Sequence, residues 1–335
     1  MTERTLPTSV QHLGFAWFAM VMGLSGLSLA WLRAVPQWGP LAVQVSAALG
    51  LLASGVLVVL LGATVWRVWR FPAAVLGDMR HPMQQVFVAA LPASLVLMAT
   101  VLWAHGGVSV WADGLWMSGS AGLLLVTVGV VRRWFKPGLT ADDFWPSMTP
   151  ALFVPVVGNV LPALAGVSLG HPVWAAAQFG MAAVLWPVLL ALVLVRIGLV
   201  GLWPLRLMPT TFITIAPPSV LALSGYQLGA PEVLVHMLWG VALLFTLVSM
   251  SVFKRCLQQP FGMTFWAMSF PLAASAALSL HLTPTAGWAQ TLAGWWLLAI
   301  TLVIGSLLVA TVRGLIQGQL LVPDSAVPVP GPRLA

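Results

Sequence analysis

Ten stretches of about twenty apolar residues, with nearly every charge confined to the gaps between them, leave this chain few possible folds. A helix needs about 20 such residues to cross a hydrocarbon layer about 30 Å thick. Because that layer holds no water, only helices or closed barrels keep their backbone groups bonded there. The stretches run over 13–32, 41–66, 86–104, 112–131, 150–169, 174–195, 207–224, 233–253, 263–281 and 289–312. Only 6% of the 335 residues are charged, against roughly a quarter in soluble domains. The sequence therefore predicts an all-α integral membrane protein with ten transmembrane helices. Residues 1–12 form a cytoplasmic N-terminus, 13–318 the ten-helix membrane domain, and 319–335 a disordered cytoplasmic tail rich in proline.

The net charge of +7 does not mark a nucleic-acid binder, because the basic residues are spread thinly over the loops. With a cytoplasmic N-terminus, thirteen of the fourteen Lys and Arg residues fall on the inner side and only Arg33 lies outside. This positive-inside bias predicts the inner (plasma) membrane and two cytoplasmic termini. Cleavage of the first stretch as a signal peptide after Ala30 would leave nine spans, but its apolar run is longer than a typical signal core. Many of the 18 tryptophans, among them Trp31, Trp66, Trp69, Trp111, Trp116, Trp203 and Trp288, lie near span ends, where an interfacial belt would sit.

Proline is distributed unevenly. Span 3 carries Pro92, span 5 Pro155 and Pro162, span 7 Pro217 and Pro218, and span 9 Pro271, while only Pro187 interrupts an even span. Span 1 has Gly23 and Gly26 instead. Phe18, Phe87, Phe153 and Phe212 each stand five residues before Gly23, Pro92, Gly158 and Pro217, and Phe265 stands six before Pro271. The pattern predicts five helical hairpins around a central pore. The kinked odd helices lie inside, with Gly23, Pro92, Pro162, Pro217 and Pro271 as kinks, and the even helices lie outside. Such repeats are common in transport proteins. Proline is also tolerated in membrane helices for packing alone. Pore lining and packing are both open for Phe18, Phe87, Phe153, Phe212 and Phe265.

No Asp, Glu, Lys or Arg falls in the middle of a span, whereas proton-coupled carriers and pumps usually need one there. This favours passive flow over coupled transport. It also argues against an enzyme, which needs a clustered acid, base or metal site. Of six histidines, five lie at or beyond span ends, so no cofactor is expected. The one cysteine, Cys256, excludes an internal disulfide. Asn159, Thr214 and Ser269 are polar groups inside spans. Each either faces a pathway or bonds to neighbouring helices or its own backbone.

The stretches HPMQQVFVAALPAS (81–94), TPALFVPVVGNVLP (149–162), LWPVLLALVLVRI (185–197), PTTFITIAPPSV (209–220) and FWAMSFPLAASAA (265–277) are similar, in order and spacing, to the tellurite-resistance and dicarboxylate transporter family. That family includes bacterial TehA and the slow anion channels of plant guard cells. The chain departs from TehA-like members where Trp186, not an acidic residue, precedes Pro187. The resemblance implies an anion channel or channel-like permease, assembled as a homotrimer with one pore per protomer. It also implies a gate at Phe270, which matches the pore-plugging phenylalanine before the proline of the ninth helix. On the residues alone Phe270 is more readily a packing side chain. A carrier or exporter for C4-dicarboxylates, sulfite or tellurite-related oxyanions is the alternative. Small inorganic or organic anions and the lipid bilayer are the partners this implies.

Overall fold

The computed structural model describes residues 9–81, 83–283 and 286–322. The tail expected to be disordered from Pro323 onward lies outside the described residues. Among the described residues, nine helices are long and apolar enough to cross a membrane: Phe15–Arg33, Pro40–Arg70, Gln84–Gly106, Val110–Trp134, Pro172–Val200, Leu205–Gln227, Glu232–Ser251, Met263–Leu282 and Trp288–Ile316. They are numbered here as spans 1–4 and 6–10. Span 5, expected over 150–169 as a helix kinked at Pro162, is built in pieces. It is the second arm of a pair, Ala141–Ser147 and Pro150–Leu164, bent by 73°. Inside that arm, short 3₁₀ stretches at Pro150–Leu152 and Gly158–Leu164 flank the single α-helical turn Phe153–Val157. Pro155 and Pro162 each lack the N–H that a regular helix would use.

Spans 1, 7 and 9 share one construction. Span 7 runs as a 3₁₀-helix over Leu205–Ile215 and becomes α-helical at Ala216. Span 9 is 3₁₀ over Met263–Met268 and α-helical from Ser269. Span 1 is 3₁₀ over Phe15–Phe18 and α-helical from Ala19. Span 3 breaks between the turn Gln84–Phe87 and the helix Ala90–Gly106. Pro92, Pro217 and Pro271 therefore lie in the first turn of an α-helical segment, where a missing N–H costs little and the fixed φ suits the helix. They mark helix starts more than mid-helix bends. Gly23 lies inside the unbroken helix Ala19–Arg33, four residues after the change of form in that span.

Burial separates the spans. The most apolar windows of spans 1, 3, 7 and 9 are 72, 67, 94 and 78% buried, and those of the even spans 17–33%. The even spans expose leucines such as Leu51, Leu125 and Leu302, as a lipid-facing layer would. Each odd span packs against the even span that follows it, and span 1 also packs on spans 3 and 9, span 7 on spans 5 and 9, and span 3 on span 5. Close approach needs small residues, since lipid supplies no hydrophobic drive between helices. Gly119 and Gly122 of span 4 provide it opposite Pro92: a Cβ on either would come within 2.9 Å of that proline, 2.7 Å in the case of Gly119 and the Pro92 carbonyl oxygen.

Irregular helix frees carbonyl oxygens, and several are capped by side chains from neighbouring helices. Ser94 donates to Phe18 O at 2.9 Å, Thr127 to Pro155 O at 2.6 Å, Trp116 Nε1 to Pro162 O at 2.9 Å and Ser224 to Val160 O at 2.8 Å. This is the internal satisfaction that a dry surrounding demands.

Tryptophan divides into two groups. Trp66, Trp69, Trp111 and Trp288 are exposed near span ends, while Trp31, Trp116 and Trp203 are buried. The buried indoles bond inside the protein, Trp31 to Thr301 at 3.1 Å and Trp203 to Thr211 at 3.1 Å. At one end of the bundle, Arg67 of span 2 forms an ion pair with Asp78 at 2.7 Å and donates to Gln11 O at 2.9 Å. Ser9 N–H donates to Leu321 O at 3.1 Å nearby in the chain's fold, so the segments flanking the bundle meet.

Candidate functional site: a cavity enclosed by the odd spans

A cavity of about 70 Å³ lies where all five odd spans converge. Its wall is almost wholly apolar, and Thr264 carries its one hydroxyl side chain. Three of the six phenylalanines singled out in the sequence reach it: Phe87, Phe153 and Phe270. Pro217 and Pro271 also line it.

The remaining candidates point elsewhere. Phe18 and Phe212 are almost fully buried between helices, and Phe212 meets Phe253 edge-on at 6.2 Å. Phe265 packs on Phe261 at 5.6 Å. Gly23, Pro92 and Pro162 are off the wall, as are Asn159, Thr214 and Ser269. Asn159 is fully buried and its amide donates to Thr127 Oγ1 at 2.6 Å and Pro155 O at 3.1 Å, tying span 5 to span 4. Thr214 donates to Thr211 O at 2.8 Å, and Ser269 to Trp266 O at 2.7 Å. Ser269 fills the space left by the missing side chain of Gly23, where any Cβ would collide with its Oγ.

Phe270 is held differently. It is the second residue of the α-helical part of span 9 and is 8% exposed. Its ring edge lies over Gly26 of span 1, where a Cβ would come within 2.9 Å of Cδ2. The ring thus has one face of the site on one side and a bare backbone on the other.

The wall also takes residues that the sequence did not single out. Ala16, Ala19 and Met22 line it from span 1, Val154, Val157 and Val160 from span 5, and Thr264, Ala267 and Phe270 from span 9. Span 3 contributes Phe87 and Ala90, and span 7 Ile213 with Ala216 and Pro217 with Val220. Phe153 and Leu161 of span 5 and Met263 and Trp266 of span 9 line it too, so spacings of three and of four both occur along one span, and the wall is built from both the 3₁₀ and the α-helical segments.

The site holds no acid, base or nucleophile. Among the described residues, no three His, Cys, Asp or Glu side chains gather as a metal site would need. The arrangement can confine a small solute by size and by exclusion of water.

The chain is 27% identical over 294 residues to an uncharacterized transporter of Methanocaldococcus jannaschii, covering 79% of this chain and 82% of that one. It is 25% identical over 264 residues to the tellurite resistance protein TehA homolog of Haemophilus influenzae, covering 78% of each. A second uncharacterized transporter of Methanocaldococcus jannaschii is 23% identical over 301 residues, covering 82% of this chain and 85% of that one. The family described as voltage-dependent anion channel, SLAC1, matches residues 12–312, nearly the whole chain, and the protein belongs to that family.

Proposed function

We propose that this protein is a passive, channel-like permease for small anions, with its path along the axis enclosed by the odd spans and occluded by Phe270. The observation that carries this reading is the cavity lined by all five odd spans, with the Phe270 ring in its wall. The alternation in burial and the closed circuit of contacts through spans 1, 3, 5, 7 and 9 support an arrangement of five hairpins around that axis. Membership of the anion channel family supports an anionic solute, as does the absence of acidic side chains from the wall. An apolar ring at a narrow point blocks flow both by its bulk and by dewetting the path.

The basic residues gathered at the span ends shared with both chain termini support a plasma-membrane orientation with cytoplasmic ends. The thinly charged, apolar outer layer supports contact with lipid and with further copies of the chain, a homotrimer in this reading. A carrier for tellurite-related oxyanions draws support from the name of the Haemophilus influenzae relative.

The test is current recording in planar bilayers in chloride and in nitrate, for wild type and Phe270→Ala. The reading expects small wild-type currents and large, anion-selective currents from the variant. Silence from both at verified insertion overturns the open path. Oxyanion or dicarboxylate uptake that depends on a pH gradient would then establish the carrier.

A further inference from the structure

Arg33 is the exception to the charge pattern, the only Lys or Arg assigned to the outer side. It ends span 1 at the opposite end of the bundle from the Arg67–Asp78 pair. Among the described residues no carboxylate forms an ion pair with it. Its Nη1 instead donates to Nδ1 of His281, on the last turn of span 9, at 2.8 Å. A guanidinium has donors and no acceptor, so Nδ1 is the acceptor and the histidine in this contact is neutral. The ring of Tyr226, at the end of span 7, stands edge-on to His281 at 4.4 Å. The ends of three of the five enclosed spans therefore meet at a half-buried cation with a neutral partner.

We propose that Arg33 and His281 form an anion-capture site at this mouth, and that protonation of His281 strengthens it. This deepens the anion permease reading and rests on it for its physiological sense. When His281 takes a proton, Nδ1 becomes a donor and the bond to Arg33 is replaced by repulsion between two cations. An anion placed between them removes that repulsion and accepts from both. The groups facing His281 are Arg33 from span 1, Tyr226 from span 7, and Glu232 and His236 from the start of span 8. Span 10 presents no charged side chain at this end. His236 is exposed and bonds through Nδ1 to Glu232 O at 2.9 Å, so it is occupied locally and serves as the control.

The experiment is chloride-35 NMR line broadening with sodium chloride on the full chain in detergent micelles, from pH 8 to pH 4, a range that reaches well below the ordinary histidine value near about 6.5. The wild type is expected to gain about tenfold in excess broadening over that range. Arg33→Gln is expected to lose it at every pH. His281→Gln is expected to hold the pH 8 level throughout, and His236→Gln to follow the wild type. Wild-type broadening independent of pH overturns the proposal. So does a pH rise that survives His281→Gln or vanishes in His236→Gln, which keeps the test decisive even where Arg33→Gln fails to fold. Chloride flux through vesicles carrying Phe270→Ala separates the two readings. Flux without pH-dependent binding overturns the capture site, and binding without flux overturns the permease.

Discussion

The ring of Phe270 rests on the bare backbone of Gly26, so closely that a methyl group on that glycine would sit 2.9 Å from ring carbon Cδ2. The same methyl would sit 3.3 Å from Cβ of Ala273, which leaves it little room along span 9. Gly26→Ala therefore pushes the ring toward the cavity, while Phe270→Ala empties it. The two substitutions are expected to act in opposite directions. Gly26→Ala should reduce any residual wild-type current and lower stability by about 1–3 kcal/mol, the usual range for overpacking. Adding Phe270→Ala should restore both. Bilayer recordings and thermal unfolding of the three variants check this, and equal currents in Gly26→Ala and wild type would sink it.

Asn159 is a tie between helices in this structure and is not on the cavity wall. Asn159→Leu should lower thermal stability by about 1 kcal/mol, the typical scale for a polar contact between membrane helices. The chloride-to-nitrate current ratio of a Phe270→Ala background should stay unchanged. A shift in that ratio would put Asn159 back on the path.

The Arg67–Asp78 pair lies at the end where Ser9 meets Leu321, with the arginine buried and the aspartate nearly so. Asp78→Ala leaves a buried guanidinium with only the Gln11 carbonyl. The expected loss is about 3 kcal/mol, because an uncompensated buried charge costs more than the pair contributes. Arg67→Met combined with Asp78→Leu should recover most of that loss. A double variant no more stable than Asp78→Ala would show that the two residues act independently.

Cys256 follows span 8 and is fully buried. Desolvation pushes its thiol pKa up, partly offset by a backbone hydrogen bond. The thiolate is the reactive form, so Cys256 should stay slow toward maleimide through the ordinary thiol range near about 8.5. It should react at once on denaturation. Mass spectrometry of native and unfolded protein over a pH series reads this directly, and rapid native labelling at pH 7 would contradict it.

The long apolar runs and the odd–even imbalance of proline were legible because both follow from the bilayer's demand for bonded backbone. The start of span 9 carried the sharpest signal, since SFPL places a large ring beside a proline within an apolar run. The form of the helices was not legible. A 3₁₀ stretch and an α-helix share the same apolar composition, and the difference shows only in a period of three against 3.6. For the same reason Pro92, Pro217 and Pro271 read as mid-helix kinks when they open α-helical segments. Gly23 and Gly26 read as hinges, yet their value lies in what packs on them, Ser269 and Phe270. That depends on the position of span 9, which no local pattern in span 1 encodes. Asn159, Thr214 and Ser269 looked alike as polar residues in spans, and only the placement of Thr127 and of the local carbonyls showed their bonds.

The 3₁₀ start of span 9 also sets a length: Thr264 and Ala267 both lie in it and both line the cavity, and three residues of such a helix rise about 6 Å. At Phe270 the rise per residue falls to that of an α-helix, so the ring proposed as the gate stands where span 9 changes its pitch.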